Sequence, residues 1–135
     1  MKYRIALIKG DGIGPEIIDS AVAVLDETAD RLGLTIIYDE CAAGGQAIEL
    51  YGNPLPAETV RICKRSDAVL LGAVGAVKWE LLPAYMRPER AILGLRTELG
   101  LYANLRPIVL HIPLAEASPL RRDITERGFN FVFVR

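Results

Sequence analysis

Residues 3–18 have the sequence YRIALIKGDGIGPEII, which joins a short apolar run to a glycine-rich turn and a proline. The run Tyr3–Ile8 and the glycines that follow it predict a buried strand that enters a tight turn. Pro15 has the backbone angle favoured at the first position of a helix, and Gly33 is a typical helix stop. Between them, apolar residues recur every three or four positions, which predicts one apolar stripe that covers a sheet. The stretch therefore predicts a strand–turn–helix unit.

The same alternation of strands and helices continues along the chain. Strands are predicted at residues 35–38, 67–74, 108–111 and 130–134, and the apolar character of 67–74 and 130–134 is typical of buried strands. Helices are predicted at residues 46–51, 56–65 and 88–99, the last two beginning at prolines. Residues 75–87 and 118–127 have no regular pattern. The sequence therefore predicts an α/β fold with a mostly parallel sheet flanked by helices.

The composition narrows the class of protein. The chain has 135 residues, 51% of them apolar, and a net charge of −1. Enough apolar sequence is present to bury a core, and the balanced charge gives no reason to expect a nucleic acid or a membrane as partner. The sequence has no apolar run of about 18 residues and no signal-peptide pattern, so we expect a cytoplasmic protein. Cys41, Cys63 and His111 lack metal-site or disulfide spacing and are predicted to serve packing or the surface.

The glycine-rich turn at residues 10–15 lies where a nucleotide-binding fingerprint would lie. It does not fit the Rossmann pattern, because Pro15 occupies the place of the third glycine and no acidic residue follows a second strand at the required distance. It does not fit the Walker pattern either, because the lysine and hydroxyl residue are missing. Two interpretations stay open: a ligand-facing turn at a helix N-terminus, or a plain connection between strand and helix.

Three arginines are candidates for binding a small dicarboxylic acid. Arg96 lies late in a predicted helix, Arg106 follows ten residues later, and Arg135 follows the last predicted strand. The planar guanidinium group gives a carboxylate two parallel hydrogen bonds. The alternative is that all three are solvated surface side chains.

Four stretches are more specific than these spacings. They are GDGIGPE at 10–16, LLGAVG at 70–75 with Lys78-Trp79 behind it, RPE at 87–89 and LRTELGLYANLRP at 95–107. Together they resemble the isocitrate/isopropylmalate dehydrogenase family, the β-decarboxylating dehydrogenases, over essentially the whole chain. The isopropylmalate branch is the more similar, because the chain has Ala91, Ile92 and Leu93 where isocitrate dehydrogenases carry polar contacts. The chain is identified as an N-terminal portion of a member of this family.

The resemblance implies an NAD-dependent enzyme of leucine biosynthesis that oxidises and decarboxylates 3-isopropylmalate to 2-oxoisocaproate. Its implied substrate-binding residues are Arg96, Arg106, Arg135, Ile92 and Leu93. Its implied cofactor-binding residues are Ile13, Ala76, Val77, Lys78 and Glu89. The resemblance also implies Mg²⁺ or Mn²⁺, but the metal ligands and the catalytic acid and base of the family match positions beyond Arg135. No catalytic or metal-binding residue is therefore assigned in this chain, and we expect it to be inactive alone.

The family's architecture sets further expectations. Residues 1–101 would form the N-terminal part of the first, cofactor-side domain, and residues 102–135 would begin the second domain, which binds substrate and forms the homodimer. Family members usually have Gly-Gly-Pro-Lys-Trp where this chain has Gly75-Ala76-Val77-Lys78-Trp79. Because of this difference, the resemblance does not decide the conformation of this loop. Two alternatives also stay open: a sister dehydrogenase acting on tartrate, D-malate or homoisocitrate, and a non-catalytic dicarboxylate-binding or decayed fragment.

Overall fold

The structure is a computed structural model that describes residues 1–135, and it contains two compact units. The first unit is Met1–Leu101 and the second is Tyr102–Arg135. Strands and helices of the first unit are β1 (Lys2–Ile8), α1 (Gly14–Leu32), β2 (Thr35–Glu40), α2 (Gly45–Tyr51), α3 (Ala57–Arg65), β3 (Ala68–Leu71) and α4 (Glu89–Glu98). Those of the second unit are β4 (Leu105–Val109), α5 (Arg122–Thr125) and β5 (Asn130–Val134).

Strand β1 is the centre of a parallel three-stranded sheet with the order β2-β1-β3. Its last three residues are the most buried part of the sheet, and Ala6 and Ile8 are completely enclosed. Parallel strands need crossover connections, which α1 and the α2–α3 segment supply here. The core consists of Ala6, Ile8, Ala43, Ile62, Cys63, Ala91 and Leu95. The predicted α/β fold with a parallel sheet and flanking helices is confirmed.

Helix α1 has the ends that the sequence predicts. Pro15 lies in its first turn, and Gly33 ends it in a left-handed conformation with φ of 64°. The predicted apolar stripe is narrower than expected, because Ile18 is buried whereas Ile17 and Leu32 are exposed. Adjacent residues of a helix are about 100° apart, so Ile17 lies to one side when Ile18 faces the sheet.

The second unit is built on an antiparallel ribbon of β4 and β5, in which Leu105 pairs with Val134 and Val109 with Asn130. The predicted strand at 108–111 begins three residues too late, because the pairing with β5 extends the strand back to Leu105. The prediction that β5 is buried is wrong: all its residues are exposed, as are those of β4. A strand is buried on both faces only when other elements pack against both faces of its sheet, and a ribbon of two strands does not provide them.

The first unit is expected to lose stability in alkali because two half-buried groups, Tyr38 and Cys41, have raised pKa values. Burial, with a hydrogen bond of 2.9 Å to Asp26, raises the pKa of Tyr38 from 10.0 to about 12, and burial next to Cys63 raises the pKa of Cys41 from 9.0 to about 12. The folded state thus favours the protonated forms. Their contribution is complete below pH 9 and is lost as the pH rises to about 12.

Urea unfolding of the chain across this range measures the effect. The free energy of unfolding should fall as the pH rises, and Tyr38→Phe should make the fall between pH 10 and about 12 smaller, leaving the part due to Cys41. A wild-type chain whose stability does not change in this window would contradict the prediction.

Candidate functional site

The glycine-rich turn packs directly against the end of β3. A Cβ atom on Gly10 would lie 2.1 Å from the carbonyl oxygen of Ala73, and one on Gly14 would lie 2.3 Å from that of Lys9. The Asp11 N–H donates to the Ala73 carbonyl at 2.7 Å. Gly12, in contrast, has no neighbouring atom within 4 Å of its Cβ position. Gly10 and Gly14 therefore serve close backbone packing, and only the tip of the turn is open.

Asp11 is the one acidic residue of this turn, and the sequence motifs do not assign it a role. Its side chain is 4% exposed and accepts hydrogen bonds of 2.8 Å from the N–H groups of Gly45, Gln46 and Gly75. These donors lie at the start of α2 and four residues after the end of β3. The sequence signal for Asp11 is an acidic residue between two glycines, three residues after a buried strand.

Residues 75–88 form the loop that contains three of the predicted cofactor-binding residues. Ala76 and Glu89 line one cavity of about 110 Å³, whose other walls are Trp79, Glu80, Arg87 and Pro88. The Glu89 carboxylate lies over Gly75, 2.7 Å from where a Cβ atom would be. Ala76 has φ of −157°, an extended conformation that any residue adopts. Alanine at this position therefore causes no backbone strain where family members usually have glycine.

The other predicted cofactor residues do not enter that cavity. Val77 is 78% exposed, and Ile13 is 55% exposed at the residue before α1. The Lys78 ammonium group lies 4.2 Å from the centroid of the Trp79 ring and forms an ion pair with Glu49. Ala76 of the loop and Glu89 at the start of α4 thus line the cavity, whereas Val77 lies outside it.

Helix α4 carries its predicted residues on one broad side. Glu89 and Arg96 each lie three or four positions from both Ile92 and Leu93, a spacing that makes side chains neighbours on a helix surface, whereas Ile92 and Leu93 are adjacent in sequence and point about 100° apart. The opposite surface, with Ala91 and Leu95, is buried in the core. Packing of that surface in the core leaves Glu89, Leu93 and Arg96 exposed and Ile92 half-buried. This side of α4 combines a carboxylate, two branched apolar side chains and a guanidinium group, and Arg96 has no ion-pair partner.

Arg106 and Arg135 lie together on one face of the β4–β5 ribbon. Asn104 and Arg135 exchange backbone hydrogen bonds of 2.9 and 3.0 Å, and Arg106 pairs with Phe133. Side chains alternate between faces along a strand, so Arg106 and Arg135 are diagonal neighbours on the same face, with Cβ atoms roughly 7 Å apart. Neither guanidinium group is paired with a carboxylate. Arg96 belongs to the first unit, and convergence of all three arginines stays a prediction.

No group of three or more His, Cys, Asp or Glu side chains is arranged to hold a metal ion. No helix has the length and apolar character needed to span a membrane. Burial raises the pKa of both Cys41 and Cys63, which keeps these thiols protonated at neutral pH and unsuited to act as nucleophiles.

Comparison with known proteins identifies the family. A model of the isocitrate/isopropylmalate dehydrogenase family matches residues 4–135. The chain belongs to this family. The 3-isopropylmalate dehydrogenase of Moorella thermoacetica is 52% identical to it over 134 residues, and that of Halalkalibacterium halodurans is 48% identical over 135 residues. These matches cover 98% and 100% of this chain but only 37% of each relative, so the chain spans about a third of the length of these dehydrogenases and corresponds to their N-terminal portion.

Solved structures of the family share the fold. A β-decarboxylating dehydrogenase from Thermococcus kodakarensis aligns with a TM-score of 0.70 and 38% identity, over 98% of this chain and 33% of its own. The isocitrate dehydrogenase of Methylococcus capsulatus aligns with a TM-score of 0.74 and 30% identity, over 98% of this chain and 34% of its own. The predicted family and its fold are thus confirmed.

Proposed function

We propose that this chain provides the substrate-positioning part and a section of the cofactor pocket of an NAD-dependent 3-isopropylmalate dehydrogenase of leucine biosynthesis. The proposal rests on the side of α4 that carries Glu89, Ile92, Leu93 and Arg96. Arg96 can bind a substrate carboxylate through two charge-assisted hydrogen bonds. Ile92 and Leu93, one turn away on the same surface, suit a branched aliphatic substituent and offer no partner to a polar one.

Two further arginines support a dicarboxylate as substrate. Arg106 and Arg135 place two guanidinium groups without an ion-pair partner on one ribbon face, where a second carboxylate can bind between them. We propose that the two compact units belong to the cofactor-side domain and to the substrate and dimerisation domain of the family. A cytoplasmic homodimer is the form we propose for the complete enzyme.

In the proposed reaction, the C2 hydride of the substrate passes to NAD⁺ to give NADH, and the 2-hydroxyl proton passes to a base. The resulting 2-oxo acid loses its 3-carboxylate as CO₂, and a proton takes its place at C3. Arg96 holds a carboxylate of the substrate by its charge, and the neighbouring Ile92 and Leu93 keep water away from the alkyl substituent. Glu89 and Ala76, which line the same cavity, would contact the nicotinamide side of NAD. A bound Mg²⁺ or Mn²⁺ ion polarises the hydroxyl oxygen in this chemistry. We propose that its ligands and the acid–base residues belong to the portion of the enzyme that this chain does not span.

Arg96→Lys tests the proposal, with Arg90→Lys as its matched control. Both arginines lie on α4, but Arg90 faces a different groove, which Asn53 and Leu55 also line. We expect isothermal titration of 3-isopropylmalate into the chain to show an affinity about tenfold lower for Arg96→Lys, because lysine cannot form the bidentate pair. Arg90→Lys should keep the wild-type affinity. Equal affinities of the wild type and Arg96→Lys, or tighter binding of tartrate or D-malate than of 3-isopropylmalate, would contradict the assignment.

A further inference from the structure

The buried carboxylate of Asp11 has a role that the proposed substrate and cofactor contacts leave unexplained. It has no cationic partner, although its side chain is almost completely enclosed. Its two oxygens instead accept three backbone N–H groups: Oδ2 from Gly45 and Gly75, and Oδ1 from Gln46. An ionised carboxylate accepts hydrogen bonds at both oxygens and donates none, so it fits three convergent donors.

The three donors come from two segments that are far apart in sequence. Gly45 and Gln46 begin α2, whereas Gly75 opens the loop of residues 75–88. A single side chain thus fixes the loop to the helix. The backbone is shaped for this carboxylate, because Gly44 has φ of 73° and a Cβ atom there would lie 2.8 Å from Asp11 Oδ2.

Both ends of the contact between loop and helix depend on this carboxylate. At one end, Gly75 directly precedes Ala76 and lies under the Glu89 carboxylate. At the other end, the indole ring of Trp79 packs on Gly45, whose N–H is itself bound by Asp11. The loop residues proposed to contact NAD therefore lie between two points that Asp11 holds.

We propose that Asp11 is a positioning residue for NAD: it sets the conformation of residues 75–79 and so the part of the cavity wall formed by Ala76 and Glu89. The proposal rests on the function proposed above and adds to it a residue that does not touch the cofactor. It follows that loss of the charge should weaken binding of NAD without affecting the carboxylate-binding arginine on α4.

The test compares Asp11→Asn with Asp30→Asn, which makes the same chemical change at an exposed aspartate of α1. Asparagine keeps the size of the side chain but retains one acceptor oxygen, so it cannot accept all three N–H groups. Trp79 is the only tryptophan and reports on the loop. For Asp11→Asn we expect an affinity for NAD at least tenfold lower, tryptophan emission shifted to longer wavelength, an unchanged far-UV circular dichroism spectrum, and an affinity for 3-isopropylmalate within about twofold of the wild type.

Asp30→Asn should match the wild type in every measurement. Wild-type NAD affinity and emission in Asp11→Asn would overturn the proposal, and so would an equal loss of both ligands in a folded variant. If the wild-type chain does not bind NAD, the cofactor part of the proposed function is wrong. The tryptophan emission of the two variants then still decides whether Asp11 holds the loop. If Asp11→Asn does not fold, amide hydrogen exchange of the wild type decides: NAD should slow exchange at Gly75, and an unchanged rate would overturn the proposal.

Discussion

Gly10→Ala is expected to lower the free energy of unfolding by about 3 kcal/mol or more. Two costs combine at this position. Gly10 has φ of 76°, in the left-handed region that costs a residue with a Cβ atom about 1 kcal/mol or more. The new Cβ atom would also lie 2.1 Å from the Ala73 carbonyl oxygen, a backbone atom that cannot rotate away. Relief of that overlap must separate the turn from the end of β3.

Gly12→Ala is the matched control for this effect. Gly12 has a similar φ of 57°, but its Cβ position has no neighbour within 4 Å. It should therefore show the conformational cost alone, about 1 kcal/mol. Urea unfolding followed by circular dichroism measures both variants. Equal destabilisation of the two would show that close packing at Gly10 contributes nothing, contrary to the geometry of the turn.

The sequence predicts the local elements of the first unit well because their signals are local. The helix α1 follows from apolar spacing between Pro15 and Gly33, and both ends lie where these residues place them. The strand predicted at 67–74 is shorter in the structure and ends at Leu71. The apolar pattern of the sequence continues beyond Leu71, but from Gly72 the chain lies against the turn after β1. A Cβ atom on Gly72 would be 2.2 Å from the Lys9 carbonyl oxygen.

Features that depend on distant pairing could not be predicted in the same way. The start of β4 is set by its register with β5, since Leu105 pairs with Val134. Locally, Pro107 argues against a strand at this place, because proline is unfavourable within strands. Asp11 is a stronger example, because its N–H donors lie 34, 35 and 64 residues further along the chain. Resemblance to the family supplied the candidate residues of α4, and the helical spacing then accounts for their common surface.

Gly45→Ala is the second substitution with a large expected effect, and it tests the loop from the side of helix α2. A Cβ atom on Gly45 would lie 2.1–2.3 Å from three carbon atoms of the Trp79 ring, which is 8% exposed. A rigid indole cannot bend away from the overlap, so it must leave its site.

Loss of this burial should cost about 3 kcal/mol, partly offset by up to about 1 kcal/mol from the higher helix propensity of alanine. Tryptophan fluorescence and urea unfolding together measure the result, and we expect emission at longer wavelength with net destabilisation. Gly94→Ala in α4 is the control, because its new Cβ atom would meet the flexible end of Leu55 at 2.6 Å, which can rotate, and no tryptophan lies there. If Gly45→Ala keeps the wild-type emission, Trp79 does not pack on α2, and the loop that carries Ala76 is not anchored at that end.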